Sequence, residues 1–333
     1  MDTARFIEDL QLVPDYLDRM AVLLQGGYPG VAGLPDAGRI LILGMGSSAY
    51  AAATAARKAR ADGVNVQVEL ASTALLPPPA PDLLVIAVSA TGTSVEVLAA
   101  AERYRGTGGL VAVTNRPGSP LAAMADYTVE MNAGEEVSGI SCRNFRHSLL
   151  VIAAVLERYG ASYGMLAETA QRAAAGSRAV LDTSGQWLPQ VSELLLGPDG
   201  TFLLAPAERF SSAAQGSLMI REVPRRPAYG SETGDWSHVD VYLSKTLDYR
   251  ALVFTGSRWD QQALDWMMPR GATVVAVGEG VPEAALTVSY PGQEQWLVSA
   301  LVETMVPELI AWDWYTKDPE FSWSAQVTAK PVL

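Results

Sequence analysis

The stretch VIAVSATGTSVEVLAAAERY, Val85–Tyr104, decides how the chain is read. Its first residues form an apolar run that stops at Val88. Ser-Ala-Thr-Gly-Thr-Ser follows, four hydroxyls and a glycine in six residues, and then a helical pattern. A short apolar run of this kind suits a strand covered on both faces. A strand that opens through small donors into a helix places unpaired N–H groups where an anion can sit.

Outward from this stretch the pattern repeats. RILILGMGSSAYAAATAARKARADG begins at Arg39 with a buried strand, turns over Gly44–Ser48 and continues as an Ala-rich helix. VNVQVEL, LVAVTN and YTVEMN read as further strands, and NFRHSLLVIAAVLERYG as a long helix. The alternation predicts an α/β fold with parallel sheets flanked by helices, whose ligands bind at the carboxyl ends of strands. About 160 residues later the order returns: TFLLAPAERFS stands for RILILGMGSSA, and RALVFTGSRWDQQAL for the stretch at Val85. We therefore expect two similar domains, residues 1–170 with a preceding helix and residues 171–333 with a C-terminal tail, joined through a helical connector.

The 333 residues are 49% apolar and 18% charged, ample for such cores, and the net charge of −12 repels nucleic acid. Cys142 is the lone cysteine, and His147 and His238 are the only histidines, so disulfides and a zinc cluster are excluded. Neither a secretory signal nor a membrane-length apolar run is recognisable, which leads us to expect a cytoplasmic protein with no membrane partner.

Two loops carry the binding chemistry. In GMGSSAY, Gly44 and Gly46 allow a tight turn and close backbone approach, and Ser47 and Ser48 stand at a helix start. In SATGTS, Ser89, Thr91 and Ser94 offer hydroxyls and Gly92 opens space. Ser and Thr also cap ordinary helices, and Thr93 with Glu96 has capping-box spacing. Two such loops on successive strand ends favour a ligand, a phosphate held without lysine. Neither loop is a Walker loop or a full dinucleotide fingerprint.

On these loops the sequence resembles the sugar isomerase (SIS) family, in particular the two-domain isomerase half of glucosamine-6-phosphate synthase and the fructosamine deglycases. The family's Gly-Thr-Ser loop is matched by Gly46, Ser47 and Ser48, and its Ser-Gln-Ser-Gly-Glu-Thr loop by Ser89 to Ser94, with Ala90 replacing the Gln. AGEEVSGISCRNF supplies Glu136 and Ser141 at the family's third stretch. QGSLMIRE, ending in Glu222, and GDWSHV, holding His238, keep the family's spacing in the second half. The resemblance implies a homodimer acting on a phosphorylated sugar or amino sugar, as an isomerase or a deaminase/deglycase. In that reading Glu222 moves a proton between C1 and C2, and His238, reaching across a dimer interface, assists ring opening. No metal or organic cofactor is called for. The family's tail lysine aligns with Ala325. Lys330, five positions later, and Lys317, eight earlier, are the nearest candidates to replace it.

The second half's loops have lost the small hydroxyls, so one phosphate site per chain is expected. His147 and Cys142 are read as packing residues. The synthase's glutaminase half has no counterpart in these residues, so ammonia production from glutamine is not expected of them. A phosphosugar-binding sensor without catalysis is the competing reading.

Overall fold

The structure, a computed structural model, describes residues 2–318. Two helices, α1 (Phe6–Gln11) and α2 (Val13–Leu24), lead into the first sheet. The chain then runs through β1 (Arg39–Gly44), α3 (Ser47–Ala61), β2 (Val66–Leu70), β3 (Leu83–Val88) and α4 (Val95–Glu102). It continues through β4 (Leu110–Thr114), α5 (Pro120–Met124), β5 (Tyr127–Glu130) and α6 (Arg143–Glu157). The 30-residue α7 (Leu166–Leu195) connects to the second half. There follow β6 (Thr201–Ala205), α8 (Phe210–Glu222), β7 (Ala228–Glu232), α9 (Thr233–Trp236) and β8 (Arg250–Phe254). The last elements are α10 (Asp260–Met267), β9 (Thr273–Val277), β10 (Leu286–Val288), α11 (Trp296–Val302) and α12 (Met305–Lys317).

The strands form two five-stranded sheets, paired in parallel throughout. Their orders are β2-β1-β3-β4-β5 and β7-β6-β8-β9-β10. The second repeats the first strand for strand, which is the repeat seen in the sequence. The expected boundary at residue 170 falls inside α7, and that division remains our proposal for where the repeated units join.

Side-chain alternation divides the packing. From β1, Ile40 and Ile42 enter a core that also takes Leu203 and Ala205 of β6, with residues of α6, α7, α11 and α12 between. The alternate residues Leu41 and Leu43 pack outward with Val97 and Ala101 of α4. In the second sheet Phe202 and Leu204 pack outward with Trp236 and Leu264. Both sheets thus share one inner core. Two of the buried ion pairs join elements around it. Arg146 of α6 bonds Glu308 of α12 at 2.8 Å and the Leu301 carbonyl at 2.7 Å. Arg209, before α8, bonds Glu303 at 2.9 Å.

Candidate functional site

Strands β1 and β3 are neighbours, yet the chain leaves β1 toward β2 and leaves β3 toward β4. Their carboxyl ends therefore diverge and leave a crevice. Gly46 turns the chain there with φ 51° and ψ −128°, a conformation that favours glycine, and α3 starts at the next residue. Ser47 is buried and Ser48 half-buried, and no side chain caps α3.

The neighbouring loop uses its hydroxyls on one another. Ser89 Oγ accepts the Gly92 N–H at 3.1 Å and lies 3.1 Å from Ser94 Oγ. Thr91 Oγ1 accepts the Thr93 hydroxyl at 2.9 Å. Ser94 is the N-cap of α4, but its hydroxyl bonds no helix N–H, and the capping-box spacing goes unused. The positive end of α4 is thus left without a side-chain acceptor.

The second sheet supplies an internal comparison. At the equivalent ends of β6 and β8 the protein fills the place with its own charges. Asp260 Oδ2 accepts the N–H groups of Gly256 and Ser257 at 2.7 and 3.0 Å. Burial pushes this carboxyl up, against the pull of those two amides. Arg209 closes the β6 side, donating to the Thr255 carbonyl at 2.6 Å and to Glu303. The loop that lost its small hydroxyls holds a side-chain carboxylate. The loops that kept them hold none.

Helix α8 brings the second half to the first. Thr54 of α3 donates to Ser211 of α8 at 2.7 Å, and Gln215 donates to the Ser141 carbonyl at 2.8 Å. Glu222 ends α8, seven residues beyond Gln215, or ~10 Å along the axis. It is half-buried. His238 is exposed on the turn after α9, beside exposed Val239. Among the described residues no hydrogen bond ties its ring to the two loops.

Residues 33–158 match the SIS domain. Glutamine–fructose-6-phosphate aminotransferase of Aeropyrum pernix is 26% identical over 220 residues, 62% of this chain and 36% of that protein. The matched region is thus about a third of that relative's length. N-acetylmuramic acid 6-phosphate etherase of Deinococcus radiodurans is 39% identical over 93 residues, 26% of this chain and 30% of that protein. Among solved structures, the C-terminal domain of glucosamine-fructose-6-phosphate aminotransferase from Francisella tularensis superposes with a TM-score of 0.78 at 17% identity, covering 92% of this chain and 94% of that one. Glucosamine-6-phosphate deaminase from Thermotoga maritima gives 0.69 at 17% identity, covering 94% and 93%. These likenesses extend the two-sheet fold over more than nine-tenths of the chain.

A cavity of about 980 Å³ opens at the carboxyl ends of β3, β4 and β5 of the first sheet. Of the sequence-predicted residues it takes in Thr91, Glu136 and Ser141. Gly46, Ser47, Ser48, Ser89, Gly92 and Ser94 lie at the adjoining crevice and are not part of its wall, nor are Glu222 and His238. Glu136 proves to be a helix cap. Its carboxylate accepts the N–H groups of Cys142, Arg143 and Asn144 at 2.7, 2.5 and 3.2 Å, filling the start of α6. Burial nonetheless pushes its carboxyl up.

Sequence reasoning missed what holds this wall. Asp9 of α1 is fully buried and accepts Val137 N–H at 3.0 Å, Ser138 N–H at 2.8 Å and the Ser138 hydroxyl at 2.6 Å. It also pairs with Arg143 at 3.0 Å, and Arg143 donates onward to the carbonyls of Ala133 and Glu135. The only hint was an acidic residue on the apolar side of an amphipathic N-terminal helix. Asn115 adds two bonds, receiving Ala133 N–H at 2.9 Å and donating to the Gly134 carbonyl at 2.5 Å.

His147 and Cys142 are buried packing residues, as read from the sequence. Burial lowers His147 to about 4 and raises the thiol well above its ordinary value. Lys317 is exposed and pairs with Asp313 at 2.7 Å. Lys330 and Ala325 lie outside the described residues. Among the described residues no cluster suits a metal ion, and no helix is long and apolar enough to cross a membrane.

Proposed function

We propose that the protein binds a phosphorylated sugar or amino sugar at the β1/β3 crevice and shifts a proton between its C1 and C2, as an isomerase or a deaminase/deglycase. One observation carries the reading. Two helices start at adjacent strand ends with hydroxyls that do not cap them, while the repeat in the second sheet is filled by Asp260. Ser47, Ser48, Ser89, Thr91 and Ser94, with the amides of α3 and α4, would hold the phosphate, and Gly46 and Gly92 give it room. Ser141 lines the sugar side.

Glu222 is the base in this reading. It takes the C2 proton of the open-chain aldose and returns it to C1, while the O2 hydroxyl proton passes to O1. A deaminase makes the same shift with nitrogen in place of O2, and a deglycase the reverse shift, from C1 to C2; water then adds to the imine and the amine leaves. His238 is exposed in its own chain, which suits ring opening in the site of a second copy, so we propose a homodimer. Lys330 is the tail residue proposed to approach the sugar.

The test is a panel of hexose 6-phosphates and glucosamine 6-phosphate, scored by thermal shift and by turnover. A ligand raises the melting temperature of the state it binds. Glu222→Gln is expected to keep binding and lose turnover by roughly 10²–10⁴-fold, the usual weight of a general base. Ser89→Ala is expected to weaken binding. Sugar phosphates that bind the wild type without turnover would make it a sensor. If none of them stabilises it, the phosphate site is lost.

A further inference from the structure

Helix α8 carries the proposed base, and two hydrogen bonds define the face it turns to the first half. Ser211 accepts the Thr54 hydroxyl of α3 at 2.7 Å, and Gln215, one turn on, donates to the Ser141 carbonyl at 2.8 Å. At about 3.6 residues per turn, Ser211, Gln215 and Glu222 fall within about 40° of one another around the helix. The side of α8 that carries Glu222 is thus the side held against the first half.

Gln215 is the less ordinary of the two contacts. It is fully buried, and its Oε1 has no hydrogen-bond partner among the described residues. Burying an amide oxygen unpaired is unfavourable, and an apolar residue of similar size would avoid that cost. Packing alone does not account for an amide here. What the amide supplies is the donor on the Ser141 carbonyl.

The peptide it holds is gripped from both sides. The Cys142 N–H, at the other end of the same peptide bond, donates to Glu136 Oε1 at 2.7 Å. A peptide is planar, so fixing its carbonyl and its N–H fixes the plane. One of the two grips comes from the first half of the chain and the other from α8. The residue so fixed is half-buried and lines the cavity, and its hydroxyl bonds no protein group among the described residues. Ser141 therefore presents an unused hydroxyl from a backbone that cannot turn.

We propose that Gln215 is a positioning residue: through the Ser141 carbonyl it sets the Ser141 hydroxyl against the sugar, in register with the helix that carries Glu222. The inference rests on the sugar-phosphate site proposed above and adds a second-half residue that acts through a first-half one. A double-mutant cycle tests it. Gln215→Met keeps the unbranched shape and removes the donor, and Ser141→Ala removes the hydroxyl. Wild type, both single variants and the double variant are titrated calorimetrically with fructose 6-phosphate, glucosamine 6-phosphate and inorganic phosphate. Each single variant is expected to weaken the better sugar phosphate by roughly 3–10-fold, the weight of one neutral hydrogen bond. The double variant is expected to match Ser141→Ala within about twofold. Affinity for inorganic phosphate, which has no sugar hydroxyl to lose, is expected to stay within about twofold throughout. Gln215→Leu repeats the cycle if the methionine variant does not fold. The proposal is overturned if Gln215→Met costs nothing, if its loss adds to that of Ser141→Ala, or if inorganic phosphate weakens equally. It is also overturned if neither sugar phosphate binds the wild type more tightly than inorganic phosphate, since no sugar hydroxyl is then being read. Binding of none of the three would instead remove the phosphate site, and this inference with it.

Discussion

Replacing Gly92 by alanine is the sharpest probe of the second phosphate loop. A Cβ at this position would lie 2.0 Å from Ser119 Oγ and 2.4 Å from Ser119 Cβ. The backbone there has φ +64°, which costs a residue with a side chain about 1–2 kcal/mol. Ser119 cannot swing aside freely, because it caps α5 through the Ala122 N–H at 3.4 Å. Overpacking of this kind costs about 1–3 kcal/mol. Together the two effects predict a loss of about 2–5 kcal/mol in urea unfolding, with weaker sugar-phosphate binding as the loop shifts. Ser119→Gly alone gives up only a few tenths of a kcal/mol at an N-cap. Combined with Gly92→Ala it relieves the clash but not the backbone strain. The double-mutant cycle is therefore expected to show about 1–3 kcal/mol of recovery. If the two substitutions add within about 0.5 kcal/mol, Ser119 is not what excludes a side chain at position 92.

Two more perturbations follow from the buried polar groups beside the cavity. Burial holds His147 at about 4, against ~6.5 when unfolded. The unfolded chain therefore binds the extra proton first. His147's contribution is complete above ~6.5 and is lost as pH falls toward 4, by about 3 kcal/mol in all. Urea titrations between pH 7 and 4 should show this slope in the wild type and a flatter one in His147→Gln; equal slopes would contradict it. Asp9→Ala strands the Arg143 guanidinium without its carboxylate and frees the 133–143 loop. A loss of about 3–5 kcal/mol is expected by urea unfolding. Anything under 1 kcal/mol would mean that other bonds hold the loop.

The fold was legible because both sheets are parallel and covered on both faces. Such strands read as uninterrupted apolar runs, and all six residues of β3 are buried. The crevice was legible for a related reason. Glycines with positive φ and small hydroxyls at strand ends leave a local pattern of few residues. Longer-range consequences were not. Glu136 carries the same letter whether or not it caps a helix, and the three amides it accepts come from the start of α6, six to eight positions on. Asp9 meets its partners 128 to 134 positions away, a distance over which residue spacing says nothing.

The layer of helices between the two sheets also governs how the molecule can move. A clamshell hinge needs a seam of weak contacts, and here the seam is a continuous buried core, crossed by the bond from Arg146 to Glu308. Parting the two halves would expose that core and break this pair. Entry and escape of a small molecule are therefore expected to depend on surface segments rather than on separation of the halves.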